Sequence, residues 1–301
     1  MTTHHFSPTR FFNTIGSHAP ELTVADGDTV IAATLDAHGF DAQDERPARN
    51  PNPMSGPIFV KGAEPGDALS VLIEKIAMVR PTGWTMQGLA ANVVDPKMVP
   101  HLPPREKVDW IIDTNSGSCR LKEPGAHQLP EIPIKPMIGC LGVAPSGGEA
   151  ITTSSSGPYG GNMDYRRIAE GTEILFPVSA PGALFFLGDV HAAQGDGEIA
   201  GTGIETAAEV RVTLKVVKGK TLLWPRGFTA EDVFTIGNAR PLDQALQHAT
   251  SEMLRVLTDD YGMTAIAASH LMGQAVRYDV ANVFNPAYSV ACRIGKRWLN
   301  A

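Results

Sequence analysis

Hydrophobic positions in the first 220 residues come in short runs, and the longest, Ala208–Val217, alternates with polar ones. Val210, Val212, Leu214 and Val216 fall on one face and Arg211, Thr213 and Lys215 on the other. That period of two marks a half-buried β-strand. Thr29–Leu35, Ala68–Ile76, Glu173–Val178 and Ala183–Leu187 are further apolar runs, set off by turns such as Gly27-Asp28, Gly66-Asp67 and Pro181-Gly182. Many short strands between such turns predict a β-rich α+β chain, with a jelly-roll-like β-sandwich as its body.

The period changes after about residue 225. Leu242, Ala245, Leu246, Ala249, Met253, Val256 and Leu257 repeat at helical spacing, predicting a helix over Pro241–Tyr261, opened by Pro241 and closed by Gly262. A second helix, Thr264–Ala275, is small and apolar and should be buried, and a last strand, Tyr288–Ile294, follows. The proline-rich middle, Val79–Pro136, reads as long loops wrapping the sheets. The expected organisation is one 301-residue unit: a β-rich body over 1–225, then an interleaved α+β part over 226–301 with the C-terminal helices.

Composition narrows the function. A net charge of −7, with no basic cluster longer than pairs such as Arg166-Arg167, argues against a nucleic-acid partner. No apolar run reaches the 18 residues of a membrane span, and the start MTTHHFSPTRFF lacks the basic-then-apolar pattern of a leader. Three cysteines without C-x-x-C spacing suit a reducing compartment, so a cytoplasmic location is expected. The apolar C-terminal helices suggest a homodimer or larger assembly.

The candidate chemistry lies between Ile168 and Val210, a stretch with seven carboxylates, one histidine and no Lys or Arg. Carboxylates without cationic partners, among glycines and beside a histidine, are what a divalent metal or an acid/base site needs. Asp189 and His191, two apart after an apolar run, would share a strand face; a purely structural Asp–His hydrogen bond is the competing reading. Asp196 and Glu198, in Gly-Asp-Gly-Glu, would converge in the same way unless they only close a turn. Glu205 opens the long strand. In Tyr159-Gly-Gly-Asn-Met-Asp164, the glycines Gly160 and Gly161 would let backbone approach a ligand, while Asn162 and Asp164 offer an amide and a carboxylate or else cap a helix. Asp36 follows an apolar strand, with His38 two residues on. Cys140 sits in an apolar run and reads as core, and no nucleophile elbow, phosphate loop or dinucleotide fingerprint is present.

Taken together these motifs resemble the acetamidase/formamidase family. The matching pieces are Gly56-Pro-Ile-Phe-Val-Lys-Gly-Ala-Glu-Pro-Gly-Asp67, Met137-Ile-Gly-Cys-Leu-Gly-Val-Ala-Pro145, Gly160-Gly-Asn-Met-Asp164, and Gly188-Asp-Val-His-Ala-Ala-Gln-Gly-Asp-Gly-Glu198 continuing to Gly201-Thr-Gly-Ile-Glu205. They occur in order, and the likeness extends from about Val24 to the C-terminal strand, nearly the whole chain. The resemblance implies metal-dependent hydrolysis of a small linear amide such as formamide or acetamide. Asp189, His191 and Glu205, with Asp36 as a fourth, would hold the metal, zinc ahead of calcium because calcium avoids imidazole. Glu198 or Asp196 would move the proton and Asn162 would meet the developing oxyanion, with Gly160, Gly161, Asp164 and Asn50 near the substrate. Phe185-Phe186 stand out as bulky before Gly188 and are expected to narrow a pocket. The alternatives are a non-catalytic, metal- or small-ligand-binding β-sandwich and a hydrolase of a larger amide or lactam.

Overall fold

The structure is a computed structural model describing residues 1–125 and 129–299. Two large sheets make up most of it. The first has nine strands in the order Thr3–Phe6, Thr29–Ala33, Ala208–Val217, Ala68–Met78, Glu173–Pro177, Arg226–Phe228, Asp232–Ala239, Tyr288–Gly295 and Arg277–Asn282. Strands from both sides of residue 225 therefore share one sheet. The second has eleven strands, with Phe185–His191 at its centre, hydrogen-bonded to Met137–Gly142, Ser55–Val60 and Glu205–Thr206.

The alternating run folds as its pattern requires. Val210, Val212 and Leu214 are fully buried, Lys215 is exposed, and Val216 at the strand's end is only partly covered. Their face joins Val30, Val71 and Phe234 of the same sheet with Ile138, Phe185 and Leu187 of the other in one apolar core. Two sheets closing on a shared core is sandwich packing. Phe185 and Phe186 both have zero exposure within that core, so they fill the sandwich rather than narrow a pocket.

The proline-rich middle is more ordered than its composition suggests. Thr82–Met86, Lys107–Asp113, Ser118–Leu121 and Ile132–Pro133 extend the eleven-stranded sheet to its edge, with Glu205–Thr206 paired to Trp84. Prolines here flank the strands or sit at the outermost one, where a missing N–H costs nothing.

Helix α1 (Leu242–Arg255) runs on through a π-helical turn, Val256–Asp260, and stops before Gly262 at φ +66°. It covers the nine-stranded sheet with Ala249, Met253, Val256 and Leu257 against Val233, Cys292 and Ile294. Beneath it Arg226 donates to Glu252 at 2.7 Å, both about 1% exposed. Arg226→Met should destabilise the fold by about 3–5 kcal/mol, because it strands a buried carboxylate; urea unfolding of the two proteins measures this. Helix α2 (Ala265–Ala275) departs from expectation: only Ala268 and Met272 are buried and Ile266 is 74% exposed. Its sequence is mostly small and apolar, but it docks by a single edge and leaves Ser269, His270 and Gln274 in solvent, so composition overstated its burial. Among the described residues no helix is long and apolar enough to cross a membrane.

Candidate active site

The strand Phe185–His191 carries Asp189 and His191, with Met137 opposite His191 and Cys140 opposite Gly188. On its other side Glu205 stands directly across from His191, the closest arrangement two strands offer. Asp164 follows the strand Gly160–Asn162, which pairs with Met137–Gly142. Glu198 ends the 3₁₀ turn Asp196–Glu198, tied to the nine-stranded sheet by Val283 N–H donating to the Gly197 carbonyl. Five ionisable groups from four chain segments, Asp164, Asp189 with His191, Glu198 and Glu205, thus meet at the middle of one sheet.

All five are buried, with His191 at zero exposure. Asp164, Asp189 and His191 offer ligand atoms within 4.8 Å of one another, and so do His191, Glu198 and Glu205. His191 Nε2 lies 3.1 Å from Glu205 Oε1 and 3.5 Å from Asp189 Oδ1, yet neither contact has hydrogen-bond alignment. Asp164 Oδ1, Asp189 Oδ1, Glu205 Oε2 and His191 Nε2 are all buried without a hydrogen-bond partner. Among the described residues no Lys or Arg forms an ion pair with any of these carboxylates. Burying anions without cation or donor costs several kcal/mol each. The cluster must therefore take up protons or a cation.

Burial and mutual repulsion favour the first of these two responses. Burial, and next the Asp189 charge, raise Asp164 to about 7. Burial raises Glu205 to about 8 despite the opposing His191. Burial and the neighbouring Asp164 push Glu198 well above the usual carboxylate range. For His191 burial acts downward, but Glu205 and Asp189 together outweigh it and hold the imidazole well above its ordinary value.

Neutral donors fix the geometry. Gln194 Nε2 donates to the Asp164 carbonyl at 2.6 Å, so its Oε1 accepts from His191 Nδ1 at 2.8 Å. That leaves Nε2 as the imidazole nitrogen facing the carboxylates. Asn52 bridges Asp189 Oδ2 (2.9 Å) and Asn162 Oδ1 (3.1 Å). Asn282 donates to Asp164 Oδ2 (2.9 Å) and to Glu198, and Asn285 to Asp164 Oδ2 (2.7 Å). Seven described non-glycine residues have φ in the left-handed range, and four of them are here: Asn52 (+36°), Asp164 (+46°), Asp189 (+56°) and Glu198 (+44°). Strain concentrated in this way persists where surrounding contacts enforce it, as at functional sites. Gly139 forms the floor, since a Cβ there would sit 2.5 Å from Asp164 Oδ1. Gly203 likewise makes room for the His191 ring, 2.4 Å from where its Cβ would be.

The expected residues divide. Asp189, His191, Glu198, Glu205 and Asp164 come together, and Asn162 stands beside them at a cleft of about 350 Å³ that Asp189, Glu198 and Glu205 also line. Asp36 lies outside. Its Oδ2 accepts from Arg80 (2.6 Å) and Trp84 (3.0 Å), and its Oδ1 from the His38 and Phe40 amides, so every lone pair facing its surroundings is engaged. Asp196 is also outside, half exposed and paired with Arg166 at 2.8 Å. Asp196→Asn should leave activity and melting temperature almost unchanged, as exposed pairs contribute about 0–1 kcal/mol; turnover and thermal melting test this. Gly160 and Gly161 face backbone rather than the cleft: at φ +94° and +93°, a Cβ on either would meet a carbonyl oxygen at 2.5 or 2.4 Å. Asn50 reaches only the exposed rim, where Arg46 donates to it at 3.4 Å. Gln194, Asn52, Asn282 and Asn285 went unnoticed in the sequence, because single amides scattered from 52 to 285 carry no spacing signal.

Comparison with known proteins agrees with this reading of the fold. The sequence model of the Acetamidase/Formamidase family matches residues 147–247, which hold all five ionisable groups. The crystal structure of an acetamidase from Yersinia enterocolitica covers 99% of this chain and 93% of its own, at 32% identity and TM-score 0.86. That of a predicted acetamidase/formamidase from Thermoanaerobacter tengcongensis covers 98% and 96%, at 30% identity and TM-score 0.86. The acetamidase of Mycolicibacterium smegmatis is 28% identical over 240 residues, 63% of this chain and 59% of that protein. The chain spans about half the length of the curated relatives it matches, between 51% and 59%. On whole-chain similarity to these solved structures, the chain belongs to the acetamidase/formamidase family.

Proposed function

We propose that the chain hydrolyses a linear amide, R–CO–NH2 + H2O giving a carboxylate and ammonium, at a divalent metal held by the buried cluster. The observation that carries this reading is the set of four unpartnered atoms, Asp164 Oδ1, Asp189 Oδ1, Glu205 Oε2 and His191 Nε2, buried beside an open cleft with no Lys or Arg paired to them among the described residues. Names of relatives, acetamidase and formamidase, give the reaction class. Asp189, His191 and Glu205 would hold the metal, with Asp164 in the place the sequence gave to Asp36. One imidazole among oxygens suits zinc better than calcium. Such an ion polarises a carbonyl and lowers the pKa of water.

The chain's own groups supply the rest. Glu198 reaches the cleft, is held by Asn282, and has its proton affinity raised by burial and by Asp164. It is therefore suited to take a proton from the attacking water and return it to the leaving nitrogen. Asn162, whose Oδ1 is occupied by Asn52, presents its NH2 as donor toward the carbonyl oxygen as charge develops. Gln194 keeps His191 Nε2 turned inward. Metal analysis of the purified protein, with ammonia release from amides before and after chelation, tests the proposal. Stoichiometric metal and chelator-sensitive ammonia release are expected. Metal without ammonia from any amide would leave the binding-protein reading instead.

A further inference from the structure

Resting on the hydrolytic reading above, we infer that the preferred substrate is an amide bearing a bulky apolar or aromatic group, not formamide or acetamide. The first ground is size. The cleft holds about 350 Å³, within the range of sites that enclose drug-sized ligands. At about 30 Å³ for a liquid water it has room for on the order of ten heavy atoms. Formamide has three and acetamide four. With its reacting carbon at the acids, either would leave most of the cleft wet.

The second ground is the wall. Besides Asp189, Glu198, Glu205 and several amides and hydroxyls, the cleft is lined by Met86, Phe284, Pro286 and the ring of His38. His38 stacks flat on the buried Trp84 at 3.8 Å between centroids, and Trp84 is anchored by its N–H to Asp36. Burial lowers the pKa of His38, so the ring is uncharged near neutrality and behaves as an aromatic surface. Phe284 is 39% exposed and lies against Gly201, where a Cβ would come within 2.5 Å of its ring. A glycine there gives the ring its place. The Arg105 guanidinium lies 5.1 Å from the centroid of the Phe284 ring, and the exposed part of the ring offers an apolar contact surface at the cleft mouth.

The test is kcat/KM for formamide, acetamide and phenylacetamide, measured by ammonia release. Phenylacetamide is expected to exceed acetamide by at least about tenfold, since one methylene-sized apolar group in a fitted pocket already changes selectivity by that much. Phe284→Ala and Met86→Ala should each bring that ratio down toward unity. Formamide or acetamide as the best substrate, or a ratio unmoved by both variants, would overturn the inference. Were no amide turned over, the hydrolytic reading would fail separately, and calorimetry on the intact protein would still decide the ligand class. Phenylacetamide binding at least about tenfold tighter than acetamide supports it, and equal affinities reject it.

Discussion

Glu198→Gln is expected to reduce ammonia release by roughly 10²–10⁴ while the metal stays bound. The substitution keeps the shape of the side chain, whose oxygen can still accept from Asn282. It removes only the capacity to hold and return a proton. His191→Ala should behave differently, because Nε2 is the one nitrogen among the unpartnered atoms at the site and the ring carries the hydrogen bond to Gln194. Activity and bound metal are expected to fall together there. Measuring metal content beside turnover in both variants separates the two jobs. Glu198→Gln protein that had lost its metal, or His191→Ala protein retaining both metal and full activity, would show that the roles are misassigned.

The metal-free protein should lose stability as pH rises from about 4 to about 8. Asp164 and Glu205 are raised to about 7 and about 8 by burial, against roughly 3.9 and 4.3 for the same groups unfolded. In that window the folded chain holds protons that the unfolded chain has released, so deprotonation favours unfolding. His191, also raised on folding, contributes in the same direction, since its stabilising charge is lost as pH climbs through its folded value. At about 1.4 kcal/mol per pH unit for each group, the combined effect of the two carboxylates reaches at most roughly 9 kcal/mol. A bound divalent cation reverses the trend, because it requires those ligands deprotonated. Thermal melting from pH 5 to 8, with chelator and with added zinc, should give two curves that diverge as pH rises. Parallel curves would show that these carboxylates do not hold the ion.

Much of the fold was legible from residue order. The alternation in Ala208–Val217 forms a strand with the expected inner face, and the helical spacing after Pro241 forms a helix ending before Gly262. These succeed because period and turn chemistry are local properties of the chain. The readings that failed were about surroundings. Helix α2 looks like core by composition but is mostly uncovered. The segment 79–136 looks like loops yet contributes four strands to a sheet edge, paired mostly with their neighbours in the chain and joined to the rest of the sheet through Trp84 and Glu205.

The site divides along the same line. By itself the sequence determined that a cation-free, carboxylate-rich segment surrounds one histidine, and that Asp189, His191, Glu198 and Glu205 lie within 17 positions of one another. Only the tertiary structure decided which acids count. Asp196, two residues from Glu198, turns outward to Arg166, while Asp164 enters from a neighbouring strand. Asp36 and Glu205 both stand in motifs at the ends of strands. Arg80 pairs with the first, and among the described residues no Lys or Arg pairs with the second, whose ion-pair contact is His191. The function of a carboxylate depends on the charges and donors within about 4 Å of it, and those neighbours come from chain segments that no local pattern connects.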